Sequence, residues 1–313
     1  MAKLLSTNID ATASHSILKS SMDVPSSTIY LLERLSNKDA YSYFDENNDE
    51  NQFLSKEQDV IYKSIIKQKS GDVKLKFNTK DWVFTQATAI ASVNITPDTK
   101  WQITDDTLQY VNSNGNAWIT QDLEKWYKSM VGAMNLKDHV DPSENGLIYG
   151  VIIDARPRKI KVPSGYIILV DILVATNRHV DEDWADAIEN SKIRFMSVGF
   201  VCDFCFCSKC GHLYALDGTG VCEHCTFERN MLYYDTFGRK SKVAEIPTTR
   251  KGVGRAYFSE VSYLSVDPAF TGAVKSYNYD LPKNSDVIVT MPVSALKRPA
   301  LKEFLGQYEI LKR

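Results

Sequence analysis

The sequence favours an α+β fold, because strand-like segments recur along most of the chain and only a few short stretches have helical periodicity. Strands are predicted at 81–90, 146–155, 166–175, 193–201, 231–234 and 257–266. Strands that follow one another, with helices set apart from them, are typical of α+β proteins and not of doubly wound parallel sheets.

Turn residues separate several of these strands. Asn114-Gly115 carries the turn signal that follows Tyr110-Val-Asn, and Pro163-Ser-Gly165 lies between the second and third predicted strands. Two helices are predicted between strands. The first spans 121–134, and the second spans 181–190 with Trp184 directed inward.

The ends of the chain differ from its centre. Residues 1–75 are predicted to form a helical and flexible segment, with helices at 20–35 and 56–69 and a polar, acidic stretch at 37–51. The final segment, 281–313, is predicted to be a tail that contains one short helix, interrupted by Pro299.

Composition excludes several classes of protein. The net charge is -2, which argues against a dedicated nucleic-acid coat protein and makes nucleic acid an unexpected partner. The most apolar stretch, 166–175, is far shorter than the ~20 residues of a membrane helix, and the N-terminus lacks the apolar core of a secretory signal. Clustered cysteines without such a signal indicate metal ligands in a reducing compartment.

All six cysteines lie between Cys202 and Cys225. Two C-x-x-C pairs, Cys207-Ser-Lys-Cys210 and Cys222-Glu-His-Cys225, have the spacing of a structural zinc site with four thiolate ligands. We therefore predict Zn²⁺ bound by Cys207, Cys210, Cys222 and Cys225. Cys202 and Cys205 are expected to be strand residues, and His212 and His224 are reserve ligands.

Ser197 interrupts an apolar strand just before the cysteines, which makes it a candidate nucleophile. A serine hydroxyl needs a base within hydrogen-bond reach. His139 and His179 are both candidates for that base, and their sequence contexts do not choose between them. The absence of a Gly-x-Ser-x-Gly sequence disfavours an α/β-hydrolase.

Six short sequences occur in an order that is typical of one family. They are Asn112-Ser-Asn-Gly-Asn-Ala-Trp118, Gly132, Asp138-His139, Gly150-Val-Ile-Ile-Asp-Ala155, Met196-Ser-Val-Gly-Phe200 and Glu260-Val-Ser-Tyr-Leu-Ser-Val-Asp-Pro-Ala269. With them, the chain from Tyr110 to Ala273 resembles the phage prohead, or capsid-maturation, serine proteases, which are relatives of the herpesvirus assemblins. Some such phage proteins carry a cysteine knuckle after the serine strand, as this chain does.

The resemblance implies a mainly antiparallel, assemblin-like β-barrel or sheet with flanking helices. The protease-like domain would span 76–280, with a small four-cysteine zinc-knuckle insertion at 202–228. It implies Ser197 as nucleophile, His139 as base and Glu260 as the residue that orients the base. An oxyanion-binding loop would follow near Ala269; Pro268 has no N–H to donate.

The function implied is a serine endopeptidase that cleaves scaffold and major capsid proteins, and in some cases itself, inside the assembling prohead in the host cytoplasm. Self-association of the chain fits this setting. Two alternatives are retained. One is a catalytically inactive head-assembly protein that uses the zinc knuckle as an interaction surface. The other is a zinc-ribbon nucleic-acid binder, which the net charge disfavours.

Overall fold

A computed structural model describes most of the chain from residue 72 to residue 292. The described residues are 28–29, 72–96, 98, 101–142, 146–215, 220–250, 254–270, 272–279, 281 and 283–292. Residues 28–29 lie inside the helix predicted at 20–35 but form a strand. The rest of that helix, the helix predicted at 56–69 and the tail helix lie outside the described residues.

The described residues contain sixteen strands and three α-helices. The strands are β1 (Thr28–Ile29), β2 (Asp72–Asn78), β3 (Trp82–Val93), β4 (Trp118–Ile119), β5 (Met134–Lys137), β6 (Gly150–Val162), β7 (Gly165–Asn177), β8 (Phe195–Cys202), β9 (Phe204–Cys207), β10 (Leu213–Ala215), β11 (Leu232–Tyr234), β12 (Lys240–Lys242), β13 (Glu245–Thr248), β14 (Ala256–Leu264), β15 (Lys275–Asn278) and β16 (Asp286–Pro292). The helices are α1 (Thr120–Trp126), α2 (Glu182–Glu189) and α3 (Glu223–Phe227), and 3-10 helices span Asp105–Tyr110 and Tyr127–Met130.

The main sheet has the strand order β15-β3-β7-β6-β5-β14-β8, with β4 beside β3. Its pairs are antiparallel except β5 with β14 and β3 with β4, which are parallel. The sheet curls until its two ends meet. Phe195 at the start of β8 bridges Val274 just before β15, and the Met196 amide donates to the Ala273 carbonyl.

A long hairpin forms the back of this barrel. Strands β6 and β7 have 13 residues each, and only Pro163 and Ser164 separate their paired ends, Val162 and Gly165. Both strands are rich in β-branched residues that fit a pleated, buried surface. Their apolar side chains form the main core with residues of β3, β8, β14 and α1.

A second, smaller sheet packs outside the barrel. Strand β16 pairs with β2 antiparallel and with β1 parallel. Leu75 and Phe77 of β2 lie in a second apolar cluster with Trp82 and Phe84 of β3. The boundaries predicted at 75/76 and 280/281 therefore divide residues that pack together.

Five of the six cysteines lie in a module beside the barrel, and Cys202 ends β8 of the main sheet. Strand β9 pairs with β10 and with β13, and β11 pairs with β12 as a two-stranded hairpin. Because β13 ends at Thr248 and is paired to β9, the module extends past the predicted end of the insertion at residue 228.

The structure agrees with the expected α+β class. It has a curled, mixed sheet, in which most strand pairs are antiparallel, and short helices. The helix predicted at 121–134 is shorter: α1 ends at Trp126, a 3-10 turn follows, and Met134 begins β5. Within the described part of the chain, no helix has the length and apolar character needed to cross a membrane.

Candidate active site and cysteine cluster

Strands β8 and β14 present the predicted nucleophile and the predicted carboxylate on one face. In their antiparallel register Ser197 lies opposite Ser262, and Gly199 lies opposite Glu260. Residues two apart on a strand point to the same side. The face therefore carries Ser197 and Gly199 from β8, with Glu260 and Ser262 from β14.

Gly199 leaves the space that the Glu260 side chain occupies. A β-carbon built at position 199 would lie 2.3 Å from Glu260 Oε1, which is far inside contact distance. The Glu260 carboxylate thus passes directly over the backbone of β8, two residues beyond Ser197. The Ser-x-Gly sequence supplies both a hydroxyl and room for the acid.

His139 reaches this face from a tight turn after β5. Both Asp138 and His139 have positive φ, at 50° and 61°, an uncommon conformation for residues other than glycine. The turn is held by hydrogen bonds: the Asp138 amide donates to the Tyr263 carbonyl at 3.0 Å, and the Ser265 amide donates to Asp138 Oδ1 at 2.7 Å.

The His139 ring is paired with Glu260. Nδ1 of His139 lies 2.7 Å from Glu260 Oε1, and the two side chains are 38% and 9% exposed. The hydrogen bond to Glu260 raises the pKa of His139, against the lowering effect of burial, and the charges of Glu260 and Asp138 add to the rise. The carboxylate therefore favours the Nδ1–H tautomer and stabilises the imidazolium.

The two atoms between which a proton would pass, Ser197 Oγ and His139 Nε2, are both without a hydrogen-bond partner among the described residues. No hydrogen bond joins them in this structure. Ser197 is buried, with 5% of its surface exposed. Hydrogen bonds between a nucleophile and its base are often long in ligand-free enzymes and tighten around substrate.

Ala269 lies beside the nucleophile strand, but its amide is already used. It donates to the carbonyl of Met196 at 3.1 Å, next to Ser197. In this arrangement Ala269 offers no free N–H to an oxyanion, so a donor near Ala269 has to be another amide of the loop. The next amide, that of Phe270, has no hydrogen-bond partner among the residues the structure describes.

His179, the other candidate base, lies elsewhere. Its Nε2 is 2.9 Å from Asp81 Oδ1, and its side chain is 70% exposed. It follows β7 in a surface turn, where its amide donates to the Asn177 side chain at 2.9 Å. The topology therefore brings His139, and not His179, to the Ser197 face.

The cysteine module gathers a group of four potential metal ligands. Ligand atoms of Cys207, Cys210, Cys222 and His224 all lie within 4.8 Å of one another. Four ligands at tetrahedral zinc, with Zn–S near 2.3 Å, place sulfur atoms about 3.8 Å apart. Nδ1 of His224 is buried and has no hydrogen-bond partner among the described residues, as expected of a ring whose partner is a metal.

Backbone amides point at two of the sulfurs. The Lys209 amide donates to Cys207 Sγ at 3.4 Å, and the Cys225 amide donates to Cys222 Sγ at 3.5 Å. Gly211 follows Cys210 with φ 71°, a conformation that glycine adopts without strain. These amides would stabilise thiolate charge, so the residues present fit a bound cation.

Cys225 was predicted as the fourth ligand, but it lies outside the group of four, with its thiol beside that of Cys207. Its buried thiol is directed toward the Ala244 carbonyl, 4.0 Å away, inside an apolar cluster with Tyr214 and Val243. The second C-x-x-C pair begins helix α3, with Cys222 at the N-cap, and the next turn directs Cys225 into the interior of the module. His224 completes the group of four that the structure brings together.

Cys202 and Cys205 lie in strands, as predicted, outside the group of four. Their sulfurs are 3.6 Å apart and both residues are buried. Sequence reasoning missed the parts that Ser262 and Gly199 play in the Glu260 environment. Alternation along β14 could have placed Ser262 on the face of Glu260, but only the register with β8 places Gly199 under the carboxylate.

Comparison of the chain with protein-family models, with curated proteins and with solved structures found no match.

Proposed function

We propose that this protein is a serine endopeptidase of the phage prohead type, with Ser197 as nucleophile, His139 as base and Glu260 as the residue that orients the base. The observation that carries the proposal is the 2.7 Å pairing of His139 with Glu260 on the face that also bears Ser197. These groups are far apart in sequence, and their order matches the sequence resemblance to prohead proteases.

The proposed reaction follows the chemistry of a catalytic triad. His139 Nε2 takes the proton of Ser197 Oγ while Oγ bonds to the scissile carbonyl carbon. Glu260 accepts the hydrogen bond of Nδ1–H and stabilises the imidazolium. The C–N bond then breaks, and the leaving amine takes the proton from Nε2. Water activated by His139 hydrolyses the acyl-enzyme.

A backbone N–H of the loop that contains Ala269 would donate a hydrogen bond to the oxyanion of the tetrahedral intermediate. Since the Ala269 amide donates to Met196, the amide of Phe270, which has no hydrogen-bond partner in the described part of the chain, is the better donor in that loop. Phe270 is itself buried and packs edge-on against Tyr110, which would hold the loop in place.

The metal is proposed to be a structural Zn²⁺ held by Cys207, Cys210, Cys222 and His224. Four protein ligands leave no position for a reacting water. The ion would fix the module that follows the nucleophile strand and would take no part in peptide cleavage.

The proposed substrates are scaffold and major capsid proteins of a phage, cleaved inside the prohead in the host cytoplasm. The test is incubation of the recombinant chain, alone and with those proteins, followed by mass spectrometry of the products. Wild type and Ser113→Ala, which removes an exposed hydroxyl, should give the same fragments. Ser197→Ala and His139→Ala should give none, whereas His179→Ala should cleave normally.

A second candidate is an inactive head-assembly protein that uses the cysteine module as an interaction surface. Exposed apolar side chains favour it: Phe227, Tyr234 and Phe237 are each at least 70% exposed. Absence of cleavage by wild type, together with binding to the same capsid proteins, would support this candidate and overturn the protease.

A further inference from the structure

Ser262 occupies a central place in the proposed catalytic group. It lies on β14 between two neighbours, opposite Ser197 of β8 and level with Leu136 of β5. No part of Ser262 is exposed. A buried hydroxyl without hydrogen bonds would be costly, so the partners of this hydroxyl determine what it does there.

The hydroxyl joins the acid and the base of the group. Ser262 Oγ donates to Glu260 Oε2 at 2.6 Å, and it accepts the hydrogen bond of the His139 backbone amide at 3.3 Å. Glu260 thus uses Oε2 for Ser262 and Oε1 for the His139 ring. With both oxygens held, the carboxylate has one orientation.

The same contact supports the strained turn that carries the base. Two successive residues with positive φ, Asp138 and His139, tend to relax unless their surroundings hold them. The Ser262 hydroxyl binds the amide of the second one. Loss of the hydroxyl would therefore free both the carboxylate and the backbone beneath the imidazole.

The two serines of this face also differ in their hydrogen bonds. The proton of Ser262 is directed to a carboxylate, whereas Ser197 Oγ has no hydrogen bond in the described part of the chain. A hydroxyl that donates to Glu260 is not placed to give its proton to His139 Nε2. This difference separates a supporting serine from a nucleophilic one.

We infer that Ser262 is a positioning residue, which acts through Glu260 and the His139 backbone to fix the acid and the base in register with Ser197. The inference rests on the proposed protease function for its kinetic effect. The geometry of the Glu260–His139 pair, however, is measurable whether or not the protein cleaves peptides.

The kinetic test compares Ser262→Ala and Ser262→Thr with wild type. Loss of a hydrogen bond to a charged group should lower kcat about tenfold, equivalent to about 1.4 kcal/mol, with KM changed less than twofold. Ser262→Thr keeps a hydroxyl and should recover at least part of the loss. Ser259→Ala is the matched control and should leave kcat unchanged, since among the described residues its hydroxyl bonds the Gly199 backbone carbonyl and neither Glu260 nor His139.

The second measurement uses the Ser197→Ala background, so that it does not depend on activity. A proton NMR signal of His139 Nδ1–H, far downfield because of its bond to Glu260, should be present there and should weaken or shift when Ser262→Ala is added. Ser259→Ala should leave it unchanged.

The outcomes of these experiments distinguish the proposed protease function from the positioning role of Ser262. If wild type cleaves nothing but the downfield signal depends on Ser262, the protease proposal fails and the positioning role stands. If the signal and kcat are both unchanged in Ser262→Ala, the inference is overturned. It is also overturned if Ser262→Ala and Ser259→Ala lower kcat equally, because that loss would reflect general damage to β14.

Discussion

The candidate catalytic face and the cysteine cluster assemble their groups over very different distances along the chain. His139 and Glu260 are 121 positions apart, and the pairing of β5 with β14 brings them together. The cluster ligands all lie between Cys207 and His224. The first group therefore depends on pairing between strands far apart in sequence, whereas the second is local and has ligands that could hold a metal ion.

Metal removal should give the largest effect and should divide the molecule into these two parts. Binding of structural zinc is worth ~10–16 kcal/mol in small zinc domains, so chelation should unfold the module around β9, β10 and α3. Hydrogen exchange read by mass spectrometry should show rapid exchange in peptides of 204–248 and protection in β6 and β7. Equal loss of protection in both regions would show that the barrel also depends on the metal.

Glu260→Gln should lower kcat about 10³–10⁴-fold, since the amide fails to hold the required tautomer and does not stabilise the imidazolium. It should also change the pH profile. Glu260 raises the pKa of His139, and only the neutral ring accepts a proton, so wild-type activity falls as the pH drops through that raised pKa. Without the carboxylate, the acidic limb should move to lower pH. If the acidic limb of the pH profile does not move in Glu260→Gln, that limb reports the titration of a group other than His139.

Replacement of His224 tests the local site. His224→Ala should weaken metal binding by more than the about 10–100-fold typical of outer partners, because it removes a ligand. Cys225→Ser, which changes a thiol outside the group of four, should weaken it less. Competition with a zinc chelator measures both. If Cys225→Ser weakens metal binding more than His224→Ala does, Cys225 is the fourth ligand and His224 is not.

Gly199→Ala tests whether the proposed catalytic face needs the open space that Gly199 leaves for the Glu260 side chain. The new β-carbon would meet Glu260 Oε1 at 2.3 Å, so the carboxylate must move. A displacement of that size should cost about a hundredfold in kcat, with metal content unchanged. Gly238→Ala is the control: no atom lies within 4 Å of its β-carbon position, and its positive φ predicts a small loss of stability without loss of activity.

The sequence was most informative where a signal is local. The C-x-x-C spacing placed the cysteine cluster, and apolar, strand-like runs placed β7, β8 and β14 to within a few positions. It was less informative where the pairing of elements far apart in sequence determines which contacts a residue makes. Whether Cys225 or His224 joins the group of four depends on how α3 begins at Cys222, and the Ala269 amide is occupied because it pairs with the Met196 carbonyl.

The same difference between local signals and long-range register applies to the base of the proposed catalytic group. The sequence could not choose between His139 and His179 from their surroundings, and the family resemblance indicated His139. Only the topology provides a physical reason: the parallel pairing of β5 with β14 brings the turn after Lys137 next to Glu260, whereas β7 ends near Asp81.

Labelling with a fluorophosphonate probe tests the central claim most directly, because such probes form a covalent bond only with an activated serine. The account predicts that tandem mass spectrometry finds the adduct on Ser197 in wild type, and that Ser197→Ala and His139→Ala remain unlabelled while His179→Ala is labelled. An adduct on Ser262 or another serine, or no adduct on folded, metal-loaded wild type, would contradict the account.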